Sequence, residues 1–283
     1  MTRRRITISK ASTALTAILL ASATSHAQTA PTYEVYAIRY AIMPGFPVRS
    51  LVAGADTGRR MDIAMSVWLL RGNRRNVLVD AGFYRDKFVQ RWKPAGYVQP
   101  SEAVRRAGVK PEEVTDIVVS HVHWDHVDGV DLFPNARIWI QKEEYDHYVA
   151  PDGKSRDGAM DSDDAKMLAD LMSRGRVNVI KGDSIEIIPG ITVFTGGKHT
   201  FASQYATVRT ESGTAVIASD NLYLYENLEK HRPIAQTLDS ASNLAAQARM
   251  SRLASAPRLI VPGHDPAVFE KFATPASQVA RIK

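Results

Sequence analysis

The chain has 283 residues, 45% of them apolar and 23% charged, which supplies a large core and excludes a disordered polymer. It has no cysteine, so disulfides, thiolate metal sites, cysteine nucleophiles and a lipoprotein anchor are excluded, and any metal must be held by His, Asp or Glu. The formal charge is +6, but Arg3, Arg4, Arg5 and Lys10 stand in residues 1–27 with no acid, and the +2 left over gives no electrostatic reason for nucleic acid or a membrane surface as partner. A small, nearly neutral substrate fits better.

Residues 1–27 run from that cationic stretch through a short apolar run at 14–21 to Ser25-His26-Ala27, with small residues at the two positions a signal peptidase reads. The segment reads as a cleaved secretory signal whose apolar part is too short to span a bilayer. It puts the start of the mature chain near Gln28 and its location in the periplasm or the medium. From Tyr33 onward no linker, low-complexity tract or repeat divides the sequence, so one domain over 28–283 is expected.

Strand patterns at 63–70 and 76–79 flank the turn signal Gly72-Asn73 and read as a hairpin. A helical pattern at 101–107 leads to a strand at 116–119, and a strand at 136–140 to a helix at 142–149. After a helix at 163–173, β-branched runs follow at 177–180, 185–188, 191–194, 205–209 and 215–218. A helix at 238–254, a strand at 258–261 and a helix at 267–272 close the series. This alternation predicts two sheets packed face to face with helices outside. The acidic stretch 157–170 lacks the glycine and terminal glutamate of a calcium loop, and Ser162 as N-cap with Asp163 and Asp164 in the first helical turn accounts for it. There is no G-x-S-x-G elbow and no G-x-G-x-x-G loop, so serine hydrolases and dinucleotide enzymes have no motif here.

The chemistry concentrates in Ser120-His121-Val122-His123-Trp124-Asp125-His126, directly after the strand pattern ending at Val119. Crowded imidazoles repel on protonation unless a cation replaces the protons, and imidazole is the commonest metal ligand. Three further residues follow strand patterns in the same way: His199 after 191–194 by way of Gly196-Gly197, Asp220 after 215–218, and His264 after 259–261 by way of Pro262-Gly263. Strands that point the same way gather such ends at one rim, where loops distant in sequence build a single site.

With these residues the chain resembles the metallo-β-lactamase superfamily, whose His-x-His-x-Asp-His motif, later His, bridging Asp and final His match positions 121, 123, 125, 126, 199, 220 and 264. The resemblance implies an α/β fold, an αββα sandwich of two packed mixed sheets with outer helices. It implies a dinuclear metal site: His121, His123 and His199 on one ion, Asp125, His126 and His264 on the other, and Asp220 bridging. Asp80, in Val77-Leu78-Val79-Asp80-Ala81-Gly82, matches the strand-end aspartate that supports the family's site. Asp220 argues against the true β-lactamase branches. The layout, with Phe83-Tyr84 after Asp80 and with Asp220-Asn221-Leu222-Tyr223, is most similar to the N-acyl homoserine lactonase group, in which a tyrosine at the spacing of Tyr223 polarises the substrate carbonyl; Tyr225 is the nearby competitor.

That likeness implies quorum-quenching lactone or ester hydrolysis by a hydroxide bridging two divalent ions, zinc first, with manganese, iron or cobalt also compatible with the donors. Tyr223 would assist at the oxyanion and Asp125 would carry a proton to the leaving alkoxide. Met43, Phe46, Phe83, Trp124 and Phe201 are candidates for an acyl-chain pocket. Two departures bear on substrate: Gly197-Lys198-His199-Thr200-Phe201-Ala202 replaces the usual Gly-His-Thr-Pro-Gly-His, and the chain carries a secretory pattern. Secreted organophosphate hydrolases and arylesterases of the same fold therefore stand as alternatives, as does a non-enzymatic periplasmic metal-binding pseudoenzyme. Oligomeric state is not legible.

Overall fold

A computed structural model describes residues 1–2 and 31–283. The secretory signal expected at 1–27 falls, after its first two residues, outside the described residues, as does Gln28. The chain forms β1 (Glu34–Pro47), β2 (Arg60–Gly72) and β3 (Arg75–Val79), then α1 (Asp86–Trp92), α2 (Pro100–Arg105), β4 (Asp116–Val118), α3 (Trp124–Val127), β5 (Arg137–Gln141), α4 (Lys142–Tyr148), α5 (Ser162–Ser173) and β6 (Val177–Ile180). The second half comprises β7 (Ile185–Ile188), β8 (Ile191–Thr195), β9 (Gln204–Thr210), β10 (Gly213–Ser219), α6 (Tyr225–Glu229), α7 (Ser240–Leu253), β11 (Ile260–Pro262), α8 (Val268–Lys271), β12 (Ala273–Ala276) and β13 (Val279–Ile282). One sheet has the order β12-β13-β1-β2-β3-β4-β5-β6 and the other β11-β10-β9-β8-β7. Both are mixed: β3 to β6 run parallel, as do β10 and β11, and the remaining pairs are antiparallel.

Period-two alternation sorts each strand between two cores. Trp68 and Leu70 of β2, Val77 and Val79 of β3 and Val118 of β4 meet Val193, Ala206, Val208, Ala215 and Ile217 between the sheets. Val67, Leu69, Leu78 and Ile117 face the other way, against Ala103 and Val104 of α2 and Ala165, Leu168 and Leu171 of α5. On the far side, Val216 and Ala218 of β10 pack on Ala246 and Met250 of α7. Each Val, Leu, Ile or Met among them contributes about 1.5–3 kcal/mol on burial, so both faces of the central strands must be covered, and the result is the αββα sandwich expected. Among the described residues no helix is long and apolar enough to cross a membrane.

Several elements differ from the sequence expectation. The β2–β3 turn is Asn73-Arg74, both left-handed at φ 48° and 58°, closed by the Gly72–Arg75 pair; the signal pointed one residue early. β1 was not expected: Val35 and Ala37 face one core while Tyr36, Ile38 and Tyr40 face another, and a strand buried on both faces shows no polar alternation. α1 was missed because Phe88 is its single buried residue, and β12 and β13 because each is only four residues long, β12 at the sheet edge and β13 between it and β1. The helix cap near 162 is Asp161, whose carboxylate accepts from Asp163 N at 2.8 Å, and Ser162 is the first helical residue. A carboxylate holds the helix N–H where hydroxyl capping was expected.

Candidate metal centre

The seven candidate donors, and Asp80 behind them, stand where strands stop. Asp80 follows β3, the 121–126 segment follows β4, His199 follows β8, Asp220 directly follows β10 and His264 follows β11 after Gly263. β3 and β4 are parallel, as are β10 and β11, and β8 runs the same way as β10 with β9 antiparallel between them. Their C-terminal ends therefore open on one rim. The backbone is forced there: Asp80 at φ 60° and Ser219 at φ 47° are left-handed though not glycine, a conformation that clusters at functional sites. Gly263 is required by closeness, because a Cβ at that position would lie 2.8 Å from Asp220 Oδ1 and 2.8 Å from the Ser219 carbonyl oxygen. That approach brings His264 alongside Asp220.

Two clusters result. His121, His123, His199 and Asp220 form one, and Asp125, His126 and His264 the other, each with donor atoms within 4.8 Å of one another. Nδ1 of His123 lies 3.0 Å from His121 Nε2 and 2.9 Å from His199 Nε2. Asp220 touches both sets: its Oδ2 is 3.4 Å from His199 Nε2, 3.7 Å from His121 Nε2 and 3.3 Å from His126 Nε2, while its Oδ1 is 2.9 Å from His264 Nε2. Asp125 Oδ2 is 3.6 Å from His126 Nε2 and 3.9 Å from His264 Nε2.

The far side of each buried ring is held by a hydrogen bond that turns Nε2 inward. Nδ1 of His199 donates to the Gln236 carbonyl at 2.7 Å and Nδ1 of His264 to the Ala64 carbonyl at 2.9 Å. Nδ1 of His126 meets Asp80 Oδ2 at 2.8 Å, and Nδ1 of His121 meets Ser120 Oγ at 2.8 Å, whose proton goes on to Asp80 Oδ2 at 2.9 Å. Ser219 Oγ donates to the same Asp80 oxygen at 2.7 Å. Such outer contacts fix the tautomer of metal-binding histidines.

Burial, joined by the neighbouring imidazoles, holds His121 well below the ordinary histidine value, and burial takes His123 and His199 down to about 4. These rings are neutral at pH 7 with lone pairs free. For His126, burial is outweighed by Asp220, Asp125 and Asp80, which raise it well above the ordinary value; His264 is raised chiefly by Asp220 against burial. Asp220, despite burial, is held well below the carboxylate range by His126 and His264. His126 Nε2 is buried without a hydrogen-bond partner, and Asp220 Oδ1 has the His264 ring beside it at 2.9 Å, a costly burial of polar atoms that a divalent cation relieves. The residues fit two ions.

Above the centre is a cavity of about 330 Å³ lined by Met43, Phe46, Leu51, Ile63, Met65, Trp92, Trp124 and Arg91, with Asp125, Asp220, Tyr223, Gln236 and His264 at its base. Met43, Phe46 and Trp124 are where the sequence reading expected them. Phe83 is not: it is fully buried, edge-on to Tyr40 and Trp124. Phe201 is not either, being 37% exposed and stacked on His147 at 4.0 Å; the Lys198–Phe201 departure thus falls outside the cavity lining. Tyr223 lines the cavity with its hydroxyl 3.4 Å from His199 Nδ1, whereas Tyr225 is packed between the sheets. Tyr84 donates its hydroxyl proton to Asp131. Sequence reasoning missed Arg91, Trp92 and Gln236, which carry no motif, and Glu144, which sits in a charged run that reads as a solvated helix face.

Residues 63–264 match the family model for the metallo-beta-lactamase superfamily. An N-acyl homoserine lactonase of a Bacillus species is 26% identical over 228 residues, 74% of this chain and 84% of the relative. The crystal structure of a quorum-quenching N-acyl homoserine lactone lactonase superposes with a TM-score of 0.71 at 22% identity, covering 86% of this chain and 96% of that one. AidC, a dizinc quorum-quenching lactonase, superposes with a TM-score of 0.63 at 14% identity, covering 89% of this chain and 97% of its own. Because the family match runs from Ile63 in β2 to His264, the last of the seven donors, the chain belongs to the metallo-beta-lactamase superfamily.

Proposed function

We propose that this protein is a metal-dependent hydrolase that opens the ring of N-acyl homoserine lactones. The observation that carries the reading is Asp220, which faces both donor clusters at once beneath a cavity with an apolar wall of Met43, Phe46, Ile63 and Met65. His121, His123 and His199 would hold one divalent cation, Asp125, His126 and His264 a second, with Asp220 between them. Zinc suits these nitrogen and carboxylate donors. When bound, such a pair supplies water activation at neutral pH and Lewis acidity toward an ester carbonyl.

The chain's own groups supply the rest. Burial keeps the Tyr223 hydroxyl protonated far above neutrality, so it can donate to the carbonyl oxygen of a lactone seated over the centre. Asp125, at the base of the cavity beside His264, is placed to take a proton and return it to the departing alkoxide as the ring opens. Met43, Phe46, Ile63 and Met65 with the stacked Trp92 and Trp124 rings, 5.3 Å apart, form an apolar wall for the acyl chain and exclude water from it. The relatives and structural neighbours described as N-acyl homoserine lactonases support the choice of substrate class.

The test is a side-by-side assay of hexanoyl homoserine lactone, an aryl acetate, a phosphotriester and a penicillin, with and without prior chelation. Lactone opening with the highest kcat/KM of the four, lost on chelation and restored by zinc, is the expected outcome. Preference for the phosphotriester or aryl ester would move the protein to the organophosphate hydrolase or arylesterase reading. Activity on none would leave a metal-binding protein without catalysis.

A further inference from the structure

We infer that Glu144 is a positioning residue for the three-histidine half of the centre, clamping the loop that carries His121 and His123 to the loop that carries His199. Glu144 lies on α4 and is completely buried. Its Oε1 accepts from Val122 N at 3.2 Å and from Thr200 Oγ1 at 2.6 Å, and its Oε2 accepts from Ala202 N at 2.6 Å. Val122 separates His121 from His123, and Thr200 follows His199. A single carboxylate therefore spans two ligand loops that are 76 positions apart at His123 and His199.

The same face of α4 grips the second loop twice more. Tyr148, four residues on, accepts from Phe201 N at 3.2 Å, and His147, three residues on, stacks on the Phe201 ring at 4.0 Å. All three hydrogen bonds to Glu144 come from neutral donors, and taking a carboxylate out of water without a cationic partner is expensive. A role confined to filling space would be served better by an apolar side chain. What the ionised carboxylate does that no apolar residue can is accept from both loops at once, since in that form it presents acceptors only. A glutamine keeps one acceptor and sets its amide N–H2 against either Ala202 N–H or Val122 N–H, neither of which can accept.

The other half of the centre is anchored elsewhere. His126 is held by Asp80 and His264 by the Ala64 carbonyl. Loss of the Glu144 clamp should therefore weaken one donor set and spare the other. This asymmetry separates positioning from general support of the fold. The inference rests on the reading of two cations held in two donor sets, and deepens it.

The experiment uses the metal-free full chain titrated with zinc against a chelating dye, read together with its melting temperature. In a His264→Ala background, which leaves the three-histidine set, Glu144→Gln should lower zinc affinity about 10- to 100-fold. In a His199→Ala background, which leaves the other set, the same change should stay within about threefold. Equal losses in both backgrounds, or none in either, would overturn the inference. If Glu144→Gln fails to fold, Thr200→Val removes one of the three bonds and should show the same asymmetry at smaller size. Zinc binding that behaves as stated while the parent chain opens no lactone would sink the lactonase reading alone; an active parent whose Glu144→Gln variant binds zinc normally would sink only the clamp.

Discussion

Asp80 Oδ2 lies 2.8 Å from Nδ1 of His126, and this contact aims the opposite nitrogen of the ring at Asp220 and Asp125. The same oxygen accepts from Ser120 and Ser219, and Asp80 Oδ1 accepts from Ser120 N at 2.8 Å. One strand-end carboxylate thus ties the ends of β3, β4 and β10 together under the centre. Asp80→Asn places an amide where acceptors are needed. Zinc affinity should fall about 10- to 100-fold while circular dichroism stays that of the parent, and a chelator competition measures the drop.

Asp220 is the residue that touches both donor clusters, so its neutral isostere should damage both. Asp220→Asn should retain the fold and lose at least about a hundredfold in lactone kcat/KM. Near-parental turnover would remove Asp220 from the chemistry. Steady-state kinetics at saturating zinc, with metal content measured on the same sample, decides the point.

Tyr223 presents a phenol to the cavity, 3.4 Å from Nδ1 of a ring that already donates to Gln236. Its removal should therefore cost turnover and leave the metal sites whole. For Tyr223→Phe we expect kcat to drop about 10²-fold with two zinc ions still bound per chain. An unchanged kcat would assign the hydroxyl to packing.

Asp164 offers a test of pH dependence away from the centre. Burial, with the charge of Asp128, raises its carboxyl from 3.8 to about 9 against the pull of Arg85. A carboxyl raised on folding contributes stability that is full below its unfolded value and drains away as pH rises through the folded one. Asp164→Asn carries no such dependence. Its melting temperature relative to the parent should therefore climb between pH 5 and pH 9, measured on the metal-free proteins; a constant difference would mean that Asp164 is ionised throughout.

Export is tested by expression of the whole sequence in a Gram-negative host. Protein recovered from the periplasm should begin at or near Gln28, as intact mass reads directly. A product that keeps Arg3, Arg4 and Arg5 would remove the secretory reading.

The legible part of the site was the part made of unusual chemistry. His121, His123, Asp125 and His126 announce themselves because so many imidazoles in six positions have no ordinary packing role. The pocket was legible only in part. Phe83 and Phe201 follow ligand-bearing segments exactly as Trp124 does within one, yet one ring turned into the core and the other onto His147, since an aromatic side chain is selected by whichever surface buries it. Glu144 left no trace in the sequence, because charge runs such as Lys142-Glu143-Glu144 on short helices are usually solvated and nothing local says that this carboxylate faces inward.

The amino-acid order alone determined which groups end each strand: the turn chemistry after β3, β4, β10 and β11 is local, and backbone propensity within a few residues decides it. Which of those ends meet is not a local property: the family resemblance implied it, while the eight-stranded and five-stranded sheets contribute donors separately. Only the packing of Trp68, Val79, Val193 and Ile217 between the sheets sets the two rims level. That alignment brings Asp220 from one sheet within reach of histidines from both. Distances of about three ångströms are a property of the closed sandwich, since the burial that closes it is cooperative and non-local.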